Sequence, residues 1–223
     1  MVNKNNQKKL ENNNNLINLN NMNNYFNIDM NNFGLNINKI HYNQRLAYEY
    51  YSLKKYGHII GRNGYPFKGL KLLNNNLFEW QFEIEGGEGS PYSGGLFYLK
   101  AKFPEDFPNK SPEVCFLTPI YHLQVNPKGG YSESLGHICL CLFNLWNPSF
   151  TMKEVLLNII LMFYLDQCPD SPYGLERADL YRENISLYIK RCQYFTNKYA
   201  NPSLPYKEYD SKWDFSLPEN LKI

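Results

Sequence analysis

Two thiols and two imidazoles stand close together in this sequence. His122 is followed by His137, Cys139 and Cys141 in the run Gly136-His137-Ile138-Cys139-Leu140-Cys141-Leu142, which leads into Trp146-Asn147-Pro148. A Cys in such an apolar run ordinarily packs as a small hydrophobe. It is also the best side-chain nucleophile for making a thioester, and a moderately exposed thiol needs no dedicated base beside it to react. A metal site competes with this chemistry, because in a strand-like Cys139-Leu140-Cys141 both thiols and His137 share one face. A lone H-x-C-x-C lacks the paired spacing of a structural zinc site, so no metal is expected.

Elements that could position these groups surround them. Leu46, Tyr50 and Leu53 recur at i, i+4 and i+7, which predicts a short amphipathic helix ending near Gly57. From Leu77 to Glu85 the pattern alternates strictly, with Phe78, Trp80, Phe82 and Ile84 on one face and Glu79, Gln81, Glu83 and Glu85 on the other. After the turn Gly86-Gly87-Glu88-Gly89 and the pair Gly94-Gly95, a second strand alternates through Phe97, Leu99, Ala101 and Phe103. A third is expected at Val114 to Leu117, beyond the break Phe107-Pro108-Asn109-Lys110-Ser111-Pro112. Thr151-Met152-Lys153-Glu154 is a capping box, so Val155 to Leu165 is expected as a buried helix. Ser171-Pro172 opens a further helical region. Leu175, Ala178, Leu180, Ile185, Tyr188, Ile189 and Cys192 supply its apolar faces until about Ala200, before Pro202 and Pro205. The order is helix, antiparallel strands, thiol-bearing loop, helices: an α+β domain.

Composition bounds the remainder. The chain of 223 residues has a formal charge of +2, so no bulk electrostatic attraction points to nucleic acid or a membrane surface. Its five Cys (115, 139, 141, 168 and 192) have no framework spacing, and no continuous apolar leader precedes them. Reduced thiols in the cytosol or nucleus are therefore expected, with core packing the expectation for Cys115, Cys168 and Cys192. No apolar run approaches the length of a membrane span. Asn supplies 17 of residues 1–41, a composition that favours disorder. The domain is placed at 42–200, with a polar and aromatic tail at 201–223.

The motifs recur in the order of a known family. Asn76-Leu77-Phe78-Glu79-Trp80, Gly89-Ser90-Pro91-Tyr92-Ser93-Gly94-Gly95, Phe103-Pro104-Glu105-Asp106-Phe107-Pro108 and Tyr121-His122 come first. Gly136-x-Ile138-Cys139-Leu140, Trp146-x-Pro148 and Asp170-Ser171-Pro172 follow. Together they resemble the ubiquitin-conjugating (E2) enzymes over about residues 42–200. The resemblance implies a UBC-like fold: an N-terminal helix, an antiparallel meander of about four strands and C-terminal helices. It implies that Cys139 accepts ubiquitin, or a ubiquitin-like modifier, as a thioester from an activating enzyme. Transfer to a protein substrate follows, with a ligase as partner. No cofactor is implied, since ATP is consumed by the activating enzyme. The alternative is a non-catalytic E2-like binding module.

The same resemblance assigns roles and exposes departures. The family's His-Pro-Asn stands here as His122-Leu123-Gln124, so Gln124 is the candidate for oxyanion or loop support and His122 is structural. Cys141 and Ser171 replace two acidic positions that orient an incoming lysine, and Asp170 remains beside Ser171 at this gate. The stretch Pro127 to Glu133 lengthens the approach to Cys139 and is expected as a surface loop. Arg45, Lys54 and Lys55 of the first helix would meet the activating enzyme. Asn109, Lys110, Pro148 and Ser149 would meet a ligase, with Asn109 where an aromatic is common.

Overall fold

The computed structural model describes residues 44–62, 67–129, 134–164, 173–205, 207 and 213–222. The Asn-rich stretch at 1–41 and the gate residues Asp170 and Ser171 lie outside them, as does Cys168.

Helix α1 spans Gln44–Arg62 and buries Leu46, Ala47, Tyr50 and Leu53. It runs past the expected stop at Gly57. That glycine is needed for close packing: a Cβ there would lie 2.4 Å from Cε1 of Phe67. Four strands follow, β1 Phe67–Leu73, β2 Asn76–Glu85, β3 Leu96–Lys102 and β4 Glu113–Phe116, in one antiparallel meander of order β1-β2-β3-β4. Strand β1 escaped the alternation search because its register shifts between Phe67 and Gly69 and again at Leu72/Leu73. Asn74 and Asn75 join it to β2, both at positive φ (51° and 53°), as a two-residue hairpin turn demands. The β2–β3 register pairs Trp80 with Ala101, Phe82 with Leu99 and Ile84 with Phe97, all fully buried. Gln81 departs from its expected solvent face and is buried.

Helix α2 is a single turn at Cys141–Asn144, and α3 spans Met152–Leu161. The capping box at α3 is formed: Glu154 N–H donates to Thr151 Oγ1 at 3.2 Å, and Thr151 N–H donates to Glu154 Oε2 at 2.7 Å. Met152, Val155, Leu156, Ile159 and Ile160 then fill the space under the sheet. The expected final helical region is two helices, α4 Leu175–Glu183 and α5 Ile185–Tyr199. Asn184 divides them, its side chain accepting from Leu187 N–H at 3.0 Å as an N-cap. Leu175 (76% exposed) and Ile185 (49%) therefore open separate helices and lie outside the buried apolar faces to which the sequence assigned them. The segment Trp213–Lys222 packs back on α5, with Trp213 and Leu221 buried and Phe215 4.7 Å from Phe195. Among the described residues no helix is long and apolar enough to cross a membrane.

Thr151→Ala removes the hydroxyl half of the capping box and should lower stability by about 1 kcal/mol. Urea unfolding would register this as a lower midpoint at unchanged slope.

Candidate active site

The site rests on four consecutive backbone carbonyls, each held by a different partner. Tyr121 O accepts from Tyr92 Oη (2.9 Å) and from the Cys192 thiol (3.2 Å). His122 O accepts from Arg177 Nη1 of α4 at 3.1 Å. Leu123 O accepts from Tyr173 N–H at 2.7 Å, and Gln124 O from Cys139 N–H at 2.9 Å. The last contact is reciprocated, because Gln124 Nε2 donates to Cys139 O at 3.2 Å. Gln124 and Cys139 are thereby locked backbone to backbone and side chain to backbone.

The chain reaches Cys139 through a tight turn at Gly136. Its φ is +78°, and a Cβ would lie 2.0 Å from Phe116 O, so both conformation and space demand glycine. His137 then bridges to Cys115 and Ile138 to Val125, after which regular pairing stops. Cys141 begins α2, which corrects the strand-like run expected through Cys139-Leu140-Cys141. The extended pairing on which the shared face of His137, Cys139 and Cys141 was argued ends at Ile138. The Cys141 side chain lies outside the described residues. His137 instead meets Tyr173, with Nδ1 3.0 Å from the phenol oxygen.

The described thiols differ in surroundings. Cys115 and Cys192 are buried, and burial pushes each up to about 12, which leaves them protonated. Cys139 is partly exposed at the end of the pairing and is not disulfide-bonded. His122 is fully buried. Its Nδ1 accepts from Gln124 N–H at 3.0 Å and its Nε2 donates to Met162 O at 3.2 Å, so the neutral ring satisfies both. Burial, aided by the Arg177 charge and opposed by the Met162 bond, holds the imidazole at about 4, below its ordinary 6.5. Such a ring braces the loop and does not act as a base at neutral pH.

Other positions singled out in the sequence gather around the Trp146 turn. Trp146 Nε1 donates to Pro108 O at 2.7 Å and its ring lies 6.1 Å from Phe107. This brings exposed Asn109 and Lys110 into a common neighbourhood with exposed Pro148 and Ser149. Lys110 pairs with Asp106 at 3.0 Å. Arg45 is turned inward onto this turn: its guanidinium donates to Pro148 O (3.3 Å) and Phe150 O (2.9 Å) and pairs with Glu49 at 2.7 Å. Glu49 in turn accepts from Met152 N–H at 3.1 Å. Lys54 and Lys55 remain on the exposed side of α1. Of the loop insertion, only Pro127 to Gly129 is described. Asn126 Oδ1 orders that part by accepting from Lys128 N–H and Gly129 N–H at 3.1 Å each.

Glu49, Tyr173 and Arg177 contribute to this architecture without having been singled out in the sequence. A charged residue inside an otherwise apolar helical stripe is the one signal each helical member carried, at Ala47-Tyr48-Glu49-Tyr50 and Glu176-Arg177-Ala178.

The fold and the family resemblance agree with the comparisons. Residues 62–196 match the family profile described as Ubiquitin-conjugating enzyme. The chain is 36% identical over 161 residues to "Probable ubiquitin-conjugating enzyme E2 31" of Arabidopsis thaliana, covering 71% of this chain and 93% of that protein. A crystal structure of a Plasmodium yoelii ubiquitin conjugating enzyme superimposes with a TM-score of 0.57 at 34% identity, covering 70% of this chain and 93% of that one. The E2 domain of a Toxoplasma gondii ubiquitin conjugating enzyme gives 0.56 at 28% identity, covering 70% and 97%. The chain belongs to the ubiquitin-conjugating enzyme family, with its α+β UBC fold.

The depressed His122 has a signed consequence. The folded state prefers the neutral ring, so its contribution is complete above about 6.5 and is lost as the pH falls toward about 4. Urea midpoints should drop across this window, and the drop should be smaller in His122→Gln.

Proposed function

We propose that this chain is a working carrier of ubiquitin: Cys139 accepts its C-terminus as a thioester from an activating enzyme and passes it to a substrate amine, with a ligase as partner. The observation that carries this is the contrast among the described thiols. Cys139 is partly exposed and its backbone is locked to Gln124 from both sides. Cys115 and Cys192 are buried and held protonated. In the transfer, the Cys139 sulfur attacks the donor thioester carbonyl, and the donor thiolate leaves as the new carbon–sulfur bond forms. Attack by an amine then releases Cys139 and forms the amide. Both steps pass through an oxyanion, so geometry around the sulfur matters more than a strong base.

Gln124 acts in this scheme as loop support. Its amide is engaged by the Cys139 carbonyl, a contact that fixes where the thioester will sit. His122 is the structural anchor beneath it. Asp170 and Ser171 form the gate for the attacking amine, and Cys141 stands at the second altered acidic position. Lys54 and Lys55 face the activating enzyme, while Arg45 shapes that face from within by holding the 148–150 turn. A ligase docks on Asn109, Lys110, Pro148 and Ser149, where Leu145, 76% exposed, adds an apolar contact. ATP serves the activating enzyme alone, and no cofactor enters the cycle. A thiol that must stay reduced suits the cytosol or nucleus.

Incubation with activating enzyme, ATP and ubiquitin, followed by a non-reducing gel, should show a thiol-sensitive adduct. It should persist in Cys141→Ala, vanish in Cys139→Ala and become thiol-resistant in Cys139→Ser. An adduct only with a ubiquitin-like protein would reassign the modifier, and none with any modifier would favour a binding module.

Because Cys141 and Ser171 replace carboxylates, discharge of the charged enzyme to free lysine should be slow without a ligase. Restoring both acids (Cys141→Asp with Ser171→Asp) should speed it by about tenfold, read as single-turnover decay of the adduct.

A further inference from the structure

The segment Trp213–Lys222 reaches the site loop through a buried arginine. The Arg177 guanidinium lies in the corner formed by two rings that meet edge to face, 4.6 Å from the Tyr121 centroid and 4.8 Å from that of Phe215. Its residue is only 8% exposed, and its Nη1 donates to His122 O. A planar guanidinium can lie against aromatic rings and still donate from its edge, which an ammonium cannot do. Burying that charge is unfavourable unless it is stacked and hydrogen-bonded, so the Phe215 ring helps determine whether Arg177 stays at the carbonyl or swings toward water.

The segment is tethered on either side of Phe215 by contacts independent of that ring. Asp214 pairs with Lys198 at 2.9 Å and its carbonyl accepts from Tyr199 Oη. Leu221 O accepts from Arg191 Nε at 3.0 Å. Arg191 is itself buried, and its Nη1 donates to the Tyr121 hydroxyl at 3.4 Å. Two buried arginines thus connect the segment to Tyr121 and His122, immediately before Leu123 and Gln124.

We propose that Trp213–Lys222 is a strap belonging to the thioester site: Phe215 clamps Arg177 on the His122 carbonyl, and Arg177 is a positioning residue that keeps the Gln124 loop against Cys139. This rests on the thioester chemistry proposed above. The strap lies in the chain beyond the matched family segment, which ends at residue 196. It ties the activity of this chain to its own C-terminal residues.

The test uses the full chain with Phe215→Ala, Phe215→Tyr and Arg177→Met. Single-turnover discharge is measured well below each variant's unfolding temperature. Phe215→Ala and Arg177→Met should each slow discharge by about tenfold, the scale of one charge-assisted hydrogen bond. The double variant should be no slower than the worse single one, and Phe215→Tyr, which keeps the ring, should recover most of the rate. Amide exchange gives a readout that needs no modifier: the Cys139 and Gln124 N–H groups should exchange about tenfold faster in Phe215→Ala, with those of Phe82 and Leu99 unchanged. A lower unfolding temperature with wild-type discharge, or with wild-type exchange at Cys139 and Gln124, overturns the proposal. If Arg177→Met does not fold, Phe215→Ala decides alone. A wild-type chain that forms no thioester removes the catalytic half of the inference, while the exchange measurement still decides whether strap and loop are coupled.

Discussion

The reciprocal hydrogen bonds between Gln124 and Cys139 are the constraint on which the rest of this structure depends. The thioester chemistry proposed for Cys139 asks little catalytic apparatus of the chain; it asks that one sulfur and one carbonyl be presented in a reproducible place. Here that place is set by the backbone of residues 121–124, whose carbonyls are taken by Tyr92 and Cys192, Arg177, Tyr173 and Cys139 in turn. The donors come from the loop after β2, from the first turn of α4 and from Tyr173 just before it, from α5, and from the run that ends at Cys139. Helices α4 and α5 and the residue that follows α3 thus brace one short loop, and His122 lies within it as a neutral ring with both nitrogens satisfied.

Burial separates the thiols by role. Cys115 and Cys192 sit where apolar surroundings disfavour a thiolate, and Cys192 is further engaged as a donor to Tyr121 O. Cys139 falls just past the last bridge, after Gly136 has turned the chain and Ile138 has anchored it in the core. The break in pairing is what brings a residue from an apolar run to the surface. The Trp146 turn is built by the same economy: an indole N–H on Pro108 O and the Arg45 guanidinium on the 148–150 carbonyls join α1, the loop before β4 and the turn after α2. Surfaces assigned to the activating enzyme and to a ligase are thus mechanically connected through Arg45 and Glu49.

Local patterns were legible wherever one residue type had one physical meaning. Strict alternation marked β2 and β3, Thr151 with Glu154 marked the start of α3, and the ordered motifs marked the family. Strand β1 was obscured by its register shifts, and the Asn74-Asn75 turn that joins it to β2 was not read in the sequence either. Gly57 was misleading because a glycine that ends a helix and one that admits a neighbouring ring look the same in sequence. Leu175 and Ile185 were misplaced because the Asn184 cap splits one apolar period into two helices with different faces.

By itself the sequence determined which residues alternate, cap and turn, and which cysteine stands in the family's active-site context, because those depend on neighbours a few positions apart. Only the tertiary structure decided what the charged residues do. In the sequence Arg45 stood on a helix face expected to meet the activating enzyme, and Arg177 was not singled out. Folding carries Arg45 to the carbonyls of Pro148 and Phe150, and buries Arg177 against the single carbonyl of His122, where desolvation makes the contact strong and the position specific. The same holds for Cys139. Its type and context are local, but its accessibility and its fixed backbone come from Gln124, Gly136 and the four braced carbonyls, partners brought together by the fold.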